Sequence, residues 1–174
     1  MIDLQTPDGI EDRHAEPKRL HAYANLLSLL VLGALMVTAM TGWLAGDRTT
    51  PRRVEAPAAT MTASIPDRLR NGEFFEMRLT ITATRDIADA TIAVPPALWR
   101  DMTINAMVPA ASEEAYKDGA YRFHYGALKA GETLEIKIDG QINPPLTIGT
   151  AGEVALYDGD TRILALPVRI AVLP

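Results

Sequence analysis

One stretch of the sequence decides the fold: Glu76-Met-Arg-Leu-Thr-Ile81 alternates charged or polar residues with large apolar ones. Successive side chains of a strand point to opposite faces, so strict alternation places one set in a core and the other in water. The same period of two recurs in Leu134–Ile138 and in Tyr121–Tyr125. The repetition along the chain predicts a sheet with one buried face.

The rest of the C-terminal part also reads as strands. Together with the three alternating stretches, the apolar runs make about eight short strands, and no amphipathic helix lies among them. Short strands separated by glycine and proline turns are typical of a β-sandwich. Residues 60–174 are therefore predicted to form one all-β domain. The further strands are predicted near 61–65, 88–94, 102–107, 153–157 and 162–172.

Two segments of this domain resemble parts of known modules. Leu128-Lys-Ala-Gly-Glu-Thr-Leu-Glu-Ile136 is similar to the corner before a late strand in fibronectin type III and bacterial immunoglobulin-like modules. Asn71-Gly-Glu-Phe-Phe-Glu-Met-Arg-Leu-Thr-Ile81 is similar to their early strand, where a glycine turn precedes an alternating run. The chain has no cysteine, so the Cys-Trp-Cys framework of antibody domains is absent. The resemblance implies an immunoglobulin-like β-sandwich of about 7–8 strands with an adhesive, spacer or accessory role.

The N-terminal part carries a long uncharged run, from Ala22 to Gly46. A helix of about 20 apolar residues matches the thickness of a bilayer core. A cleaved signal peptide has a basic leader and a shorter apolar stretch, and this leader is acidic. The sequence therefore predicts a flexible tail over residues 1–21, one transmembrane helix over 22–46 and a proline-stiffened linker over 47–59.

The orientation of the predicted helix is not fixed by charge, because three basic residues flank it on each side. Positive residues mark the cytoplasmic side, and here they tie. The likeness to modules found outside the cytoplasm favours an N-terminus inside and a periplasmic domain on a bacterial inner membrane. The flanking residues are Arg13, Lys18 and Arg19 before the run and Arg48, Arg52 and Arg53 after it.

Four small residues recur every four positions along the predicted helix: Ala34, Thr38, Gly42 and Gly46. Small residues let helices approach closely in lipid, where packing drives association. They are also common in membrane helices generally, so both interpretations stay open. A packing stripe here implies a second copy of the chain or another membrane protein as partner.

The composition offers little to catalysis. A net charge of −5 argues against a nucleic-acid partner, because such binding depends on neutralising phosphates. The predicted domain contains one histidine, His124, and two serines, Ser64 and Ser112. No nucleophile-elbow pattern surrounds either serine. The adjacent Glu113 and Glu114 fall in a stretch predicted to be a solvated loop, which does not separate their pKa values. We therefore predict no enzyme and no cofactor.

Metal handling is the alternative function that the residues suggest. Met61, Met77, Met102 and Met107 with His124 are side chains that suit copper, which raises a periplasmic copper-handling accessory protein. The methionines are spread along the chain, and Met77 and Met102 fall on positions assigned to the core. No residue is therefore assigned to a metal.

A partner-binding surface is predicted around Pro95, Pro96, Trp99 and Arg100. Tryptophan and arginine are enriched at protein interfaces, although a tryptophan here also suits a core plug. Together with the predicted membrane helix, this surface favours a membrane-anchored accessory or protein-binding module, a partner subunit of another membrane protein. Strand addition at an exposed sheet edge is a further possibility.

Overall fold

The computed structural model describes residues 19–41 and 48–173 of the 174-residue chain. The chain divides into two compact units, residues 1–45 and 46–174. The boundary agrees with a separate C-terminal domain, and each unit is described by itself.

The first unit is described as one helix, α1 (Arg19–Met40). Its large apolar side chains from Leu26 onward are exposed, and only Ser28 and Thr38 are polar among residues 26–40. Among the residues that the structure describes, no helix is long and apolar enough to qualify as a membrane span. The transmembrane helix therefore stays a prediction, and most of the predicted tail lies outside the described residues.

The second unit is all β, as predicted. Each of the eight predicted strands is confirmed, since each overlaps a strand of the structure. The described part of this unit holds ten strands. They are β1 (Arg48–Ala56), β2 (Ala59–Arg70), β3 (Phe74–Ala83), β4 (Ala90–Val94), β5 (Met102–Val108), β6 (Glu113–Lys117), β7 (Ala120–His124), β8 (Thr133–Ile142), β9 (Gly149–Asp158) and β10 (Thr161–Leu173).

Two of the strands, β1 and β6, correct the sequence interpretation. β1 takes the place of most of the predicted linker, 47–59, and pairs with β2 along its whole length. Pro51 and three arginines read as a polar spacer, yet a strand at an edge tolerates a proline and keeps its charges in water. β6 takes the place of the loop predicted around Glu113 and Glu114 for the same reason.

The ten strands form one curled sheet that is compatible with a β-sandwich. Their order is β5-β8-β3-β2-β10-β9-β4-β7-β6, and β1 lies beside β2. β2 connects the two halves of this order. Its first part, Ala59–Ser64, pairs antiparallel with β3, and its last residues, Arg68–Arg70, pair parallel with β10. The two ends of the order are β5 and β6.

The core lies inside the curl and follows the alternation of β3. Met77, Leu79 and Ile81 are buried and lie opposite Ile138, Ile136 and Leu134 of β8, whereas Arg78 between them is exposed. Each fully buried aliphatic side chain contributes about 1.5–3 kcal/mol to folding. The alternating stretch Glu76–Ile81 therefore contributes three buried side chains to the core.

Candidate functional site

The predicted partner surface lies in the connection between β4 and β5, residues 95–101. Leu98 holds this loop in place, because its side chain is fully buried and its N–H donates to the carbonyl of Pro95 over 3.0 Å. The carbonyl of Trp99 accepts a hydrogen bond of 3.2 Å from the N–H of Met102. The loop is therefore fixed at both ends, and Trp99 is presented beside the start of β5.

Trp99 belongs to an aromatic cluster that extends onto β7 and β6. Its ring stacks on Tyr121 with centroids 6.1 Å apart and contacts Phe123 at 5.5 Å. Tyr121 in turn meets Tyr116 edge to face at 5.4 Å. Phe123 is buried and Trp99 half-buried, but Tyr121 and Tyr116 are 40% and 63% exposed. The cluster thus runs from the core out to the surface, and Trp99 serves both as core packing and as surface.

A groove of about 680 Å³ opens beside this cluster. One wall is β5, whose Met102, Ile104 and Met107 are half-buried. The other wall is the aromatic pair on β7, and Glu114 of β6 also lines it. We call this site the β5 groove. It lies between β5 and β6, the two strands at the ends of the strand order. Within the described sheet, β5 pairs with β8 and β6 pairs with β7, and the two do not pair with each other.

The β5 groove carries opposite charges. Arg100 lines it just before β5 and makes only a loose contact of 3.6 Å with Asp101. At the other end, the hydroxyl of Tyr125 donates to the sulfur of Met107 over 2.8 Å. Burial, and next the charge of Glu114, raise the pKa of Tyr125 to about 12. The groove therefore has a cation at the start of β5 and an anion near its end.

The structure brings three of the four predicted surface residues together. Pro96, Trp99 and Arg100 line the β5 groove, whereas Pro95 packs beneath the loop, beside Leu98 and Gly152. Sequence reasoning missed the contribution of β7. It assigned the alternating aromatic residues of that strand to the core, and the period of two does not say how fully an inward face is covered.

The outward face of β7 carries a buried cation. The side chain of Arg122 is 5% exposed, its guanidinium lies 4.1 Å above the ring of Tyr157, and one nitrogen donates to Asp118 at 3.1 Å. Its other two nitrogens have no hydrogen-bond partner among the described residues. A guanidinium over an aromatic face is stabilised by the ring quadrupole. Arg122 therefore acts as packing, against its predicted place in water.

His124, on the same face, does not form a catalytic relay with a serine. Its Nδ1 lies 2.7 Å from a carboxylate oxygen of Asp89 and 3.0 Å from the hydroxyl of Thr91. Ser112 lies near His124, but its hydroxyl donates to the backbone carbonyl of His124 over 2.9 Å and not to the ring. A relay needs the acid and the nucleophile on opposite ring nitrogens. The arrangement supplies no such geometry.

The side chains considered for copper are not brought to one place. Met61 and Met77 lie in the core, which agrees with the core interpretation of Met77. Met102 is only half-buried and faces the β5 groove with Met107, while His124 contacts Asp89 on the outward face. Among the described residues, no group of three or more histidine, aspartate or glutamate side chains is arranged to hold a metal ion.

The helix stripe is described in part. Ala34 is exposed, and the hydroxyl of Thr38 donates to the carbonyl of Ala34 over 2.7 Å, a hydrogen bond within the helix. Gly42 and Gly46 lie outside the described residues. Packing through this stripe stays a prediction.

No family model and no curated protein matches the sequence. The class is therefore defined by the structure alone: an all-β domain with an aromatic groove at the open side of its sheet.

Proposed function

We propose that this chain is a membrane-anchored protein-binding module, an accessory subunit that engages another membrane protein through the β5 groove. The observation that carries the proposal is the aromatic cluster, which leaves Tyr121 and Tyr116 exposed above the half-buried Trp99. Tryptophan, tyrosine and arginine dominate the binding energy of protein interfaces, and all three meet here. A contiguous apolar surface rimmed by polar groups is typical of an interaction site.

The anchor rests on the sequence and on the exposure of α1. The run from Ala22 to Gly46 has no charge, and the large apolar side chains of α1 from Leu26 to Met40 are exposed. A helix that is apolar all round suits lipid or a protein interior. We propose that a bilayer covers these side chains.

The domain is proposed to be immunoglobulin-like and to lie in the periplasm of a bacterium. Support comes from the resemblance of Asn71–Ile81 and Leu128–Ile136 to such modules. The ten strands of the described domain form one curled sheet, which is compatible with a β-sandwich. Modules of this kind serve mainly in recognition, which agrees with an accessory role and is an argument by analogy.

The test is recovery of a membrane protein with the full-length chain from native membranes in mild detergent. We expect Trp99→Ala/Tyr121→Ala to lower the recovery about tenfold or more, since truncating an aromatic hot spot costs at least about 2 kcal/mol of binding. Phe74→Ala is the control, because Phe74 is an aromatic residue on β3 that is 70% exposed and lies outside the groove. It should leave recovery unchanged.

A second variant separates the groove from the helix. Thr38→Leu/Gly42→Leu fills the small-residue stripe without touching the β domain. Loss of the partner with this variant alone, and equal recovery with the aromatic variant, contradicts the role of the groove. Recovery of no membrane protein by the wild type contradicts the accessory-subunit function itself.

A further inference from the structure

We infer that the β5 groove binds an extended segment of the partner as an added strand, antiparallel to β5, with a basic residue first, alternating apolar residues next and an acidic residue last. The inference rests on the proposed function and names the partner's chemistry.

The backbone of β5 is unpaired on one side. Within the described sheet, β5 pairs with β8 alone and stands at one end of the strand order. An edge strand presents a row of N–H and C=O groups that a further strand satisfies. β6 has the same property at the other end.

The three edges of the sheet differ in how they are protected. β1 carries Pro51 and three arginines, and β6 carries three charges in five residues, Glu113, Glu114 and Lys117. The β5 sequence, Met-Thr-Ile-Asn-Ala-Met-Val, has no charge and no proline. One shift in its pairing register, near Asn105, is the single feature of this strand that opposes further pairing. Edges that are not meant to pair are blunted by charge and proline. The unprotected edge is therefore the one that receives a strand.

The connection between β5 and β6 is long enough to leave room for a strand. Residues 109–112 join them, and so short a link normally closes a hairpin. Here β5 pairs with β8 and β6 pairs with β7 instead. Five residue steps span at most about 18 Å, and a strand between two others needs about 9.5 Å. The link therefore does not prevent a strand from lying between β5 and β6.

The face beside the free edge is apolar at strand spacing. Met102, Ile104 and Met107 of β5 face the groove, which is also lined by Trp99, Tyr121 and Phe123 of the aromatic cluster. An added strand directs every second side chain to the same face. Its alternate residues therefore enter the groove, and apolar residues at those positions are buried.

The added strand is taken as antiparallel to β5, the direction in which β8 pairs with its other edge, and the charges at the two ends of the groove then set the charge order of the segment. Arg100 stands before the start of β5. Glu114 lies opposite Phe123 on β7, two residues before Tyr125, whose hydroxyl contacts Met107 near the end of β5. A strand antiparallel to β5 begins near Glu114 and ends near Arg100. Complementary charge therefore demands a basic residue at its first groove-facing position and an acidic residue at its last.

Two synthetic peptides with blocked ends test the inference: Lys-Thr-Val-Thr-Phe-Thr-Val-Thr-Glu and its charge-exchanged counterpart Glu-Thr-Val-Thr-Phe-Thr-Val-Thr-Lys. The chain has two tryptophans. In the full-length Trp43→Phe protein, emission therefore reports on Trp99 alone. We expect the Lys-first peptide to bind about tenfold more tightly, because two exposed ion pairs replace two like-charge contacts. The difference should shrink in high salt.

The matched variant is Arg100→Glu/Glu114→Lys, which changes two exposed side chains and leaves the core intact. It should reverse the preference between the peptides, and that reversal also shows that the variant is folded. Equal binding of both peptides, a wild-type preference for the Glu-first peptide, or no binding at about 1 mM overturns the inference. An affinity that falls as protein concentration rises assigns the groove to a second copy and also overturns it.

The two proposals fail separately. A partner captured through Trp99 and Tyr121 while neither peptide binds leaves the proposed function standing and refutes the added strand. Directional peptide binding without any captured membrane protein supports the strand and refutes the accessory-subunit function.

Discussion

β3 and β7 have the same sequence period and opposite outcomes. In β3 the apolar set is buried, with Leu79 only 1% exposed, and the charged Arg78 between its neighbours is in water. In β7 the cation Arg122 is 5% exposed, whereas the inward-facing Tyr121 is 40% exposed. The difference is one of position, because β3 is third in the strand order and β7 lies next to its other end.

The comparison teaches that paired neighbours alone do not bury an inner face, because β7 also pairs on both sides, with β4 and β6. β3 is flanked by β2 and β8, and its apolar side chains meet others across the curl. Near the open side, between β5 and β6, the inner face of β7 lacks that cover. Aromatic side chains left half-covered in this way are available to a partner.

The largest effect is expected in β3. Leu79→Ala should lower the free energy of unfolding by about 2–5 kcal/mol, the usual cost of a cavity at a fully buried leucine. Denaturant titration of the full-length protein measures it. The control Thr80→Ala, one position along on the outward face, should change stability by less than about 0.5 kcal/mol. Similar values for the two variants would mean that alternation does not order the burial of β3.

A smaller effect is expected at the buried cation of β7. Arg122→Ala should cost about 2 kcal/mol, because the side-chain stem and the contact with Tyr157 are lost together. Arg122→Met keeps an unbranched stem of similar length and should cost about 1 kcal/mol or less. Asp118 is exposed, so removing the guanidinium leaves no buried carboxylate without a partner. Equal losses for both variants would locate the stabilisation in the charge and not in the packing.

The smallest effect is expected from the phenol of Tyr125, at the end of the groove. Burial raises its pKa above the ordinary 10.0, to about 12, and Glu114 adds to this. Since the folded pKa is the higher one, stability is fully present below pH 10 and falls as pH rises towards 12. Tyr125→Phe should remove that alkaline loss, as measured by unfolding at a series of pH values.

Glu114→Gln sharpens the same point. Without the nearby carboxylate, the pKa of Tyr125 should fall, but by less than burial raises it, because burial is the larger cause. The phenolate absorbance of the variant, compared with Tyr125→Phe, reports the change. An unchanged titration would show that Glu114 does not face the end of the groove.

The sequence predicts the strands whose alternation is regular. It does not predict a strand where charged residues make the segment look like a loop. The eight predicted strands include β3 and β8, whose apolar residues meet in the core. β1 and β6 escape prediction because arginine, glutamate and proline suit an exposed edge as well as a loop. Trp99 and Arg100 were found from residue type, whereas the contribution of Tyr121 depends on the gap between β5 and β6. That gap is set by long-range pairing, which no local pattern encodes.

The pairing of β1 affects how far the chain that enters the domain can extend. β1 and β2 form a hairpin whose open end, at Arg48, is the point where the chain enters the domain. Tension applied at that point separates the hydrogen bonds of the hairpin one after another, which needs less force than breaking a ladder all at once. Its nine residues, once peeled away, lengthen the connection by about 30 Å. The first strand of the domain is thus also an extensible segment, which lengthens under tension while the rest of the sheet stays intact.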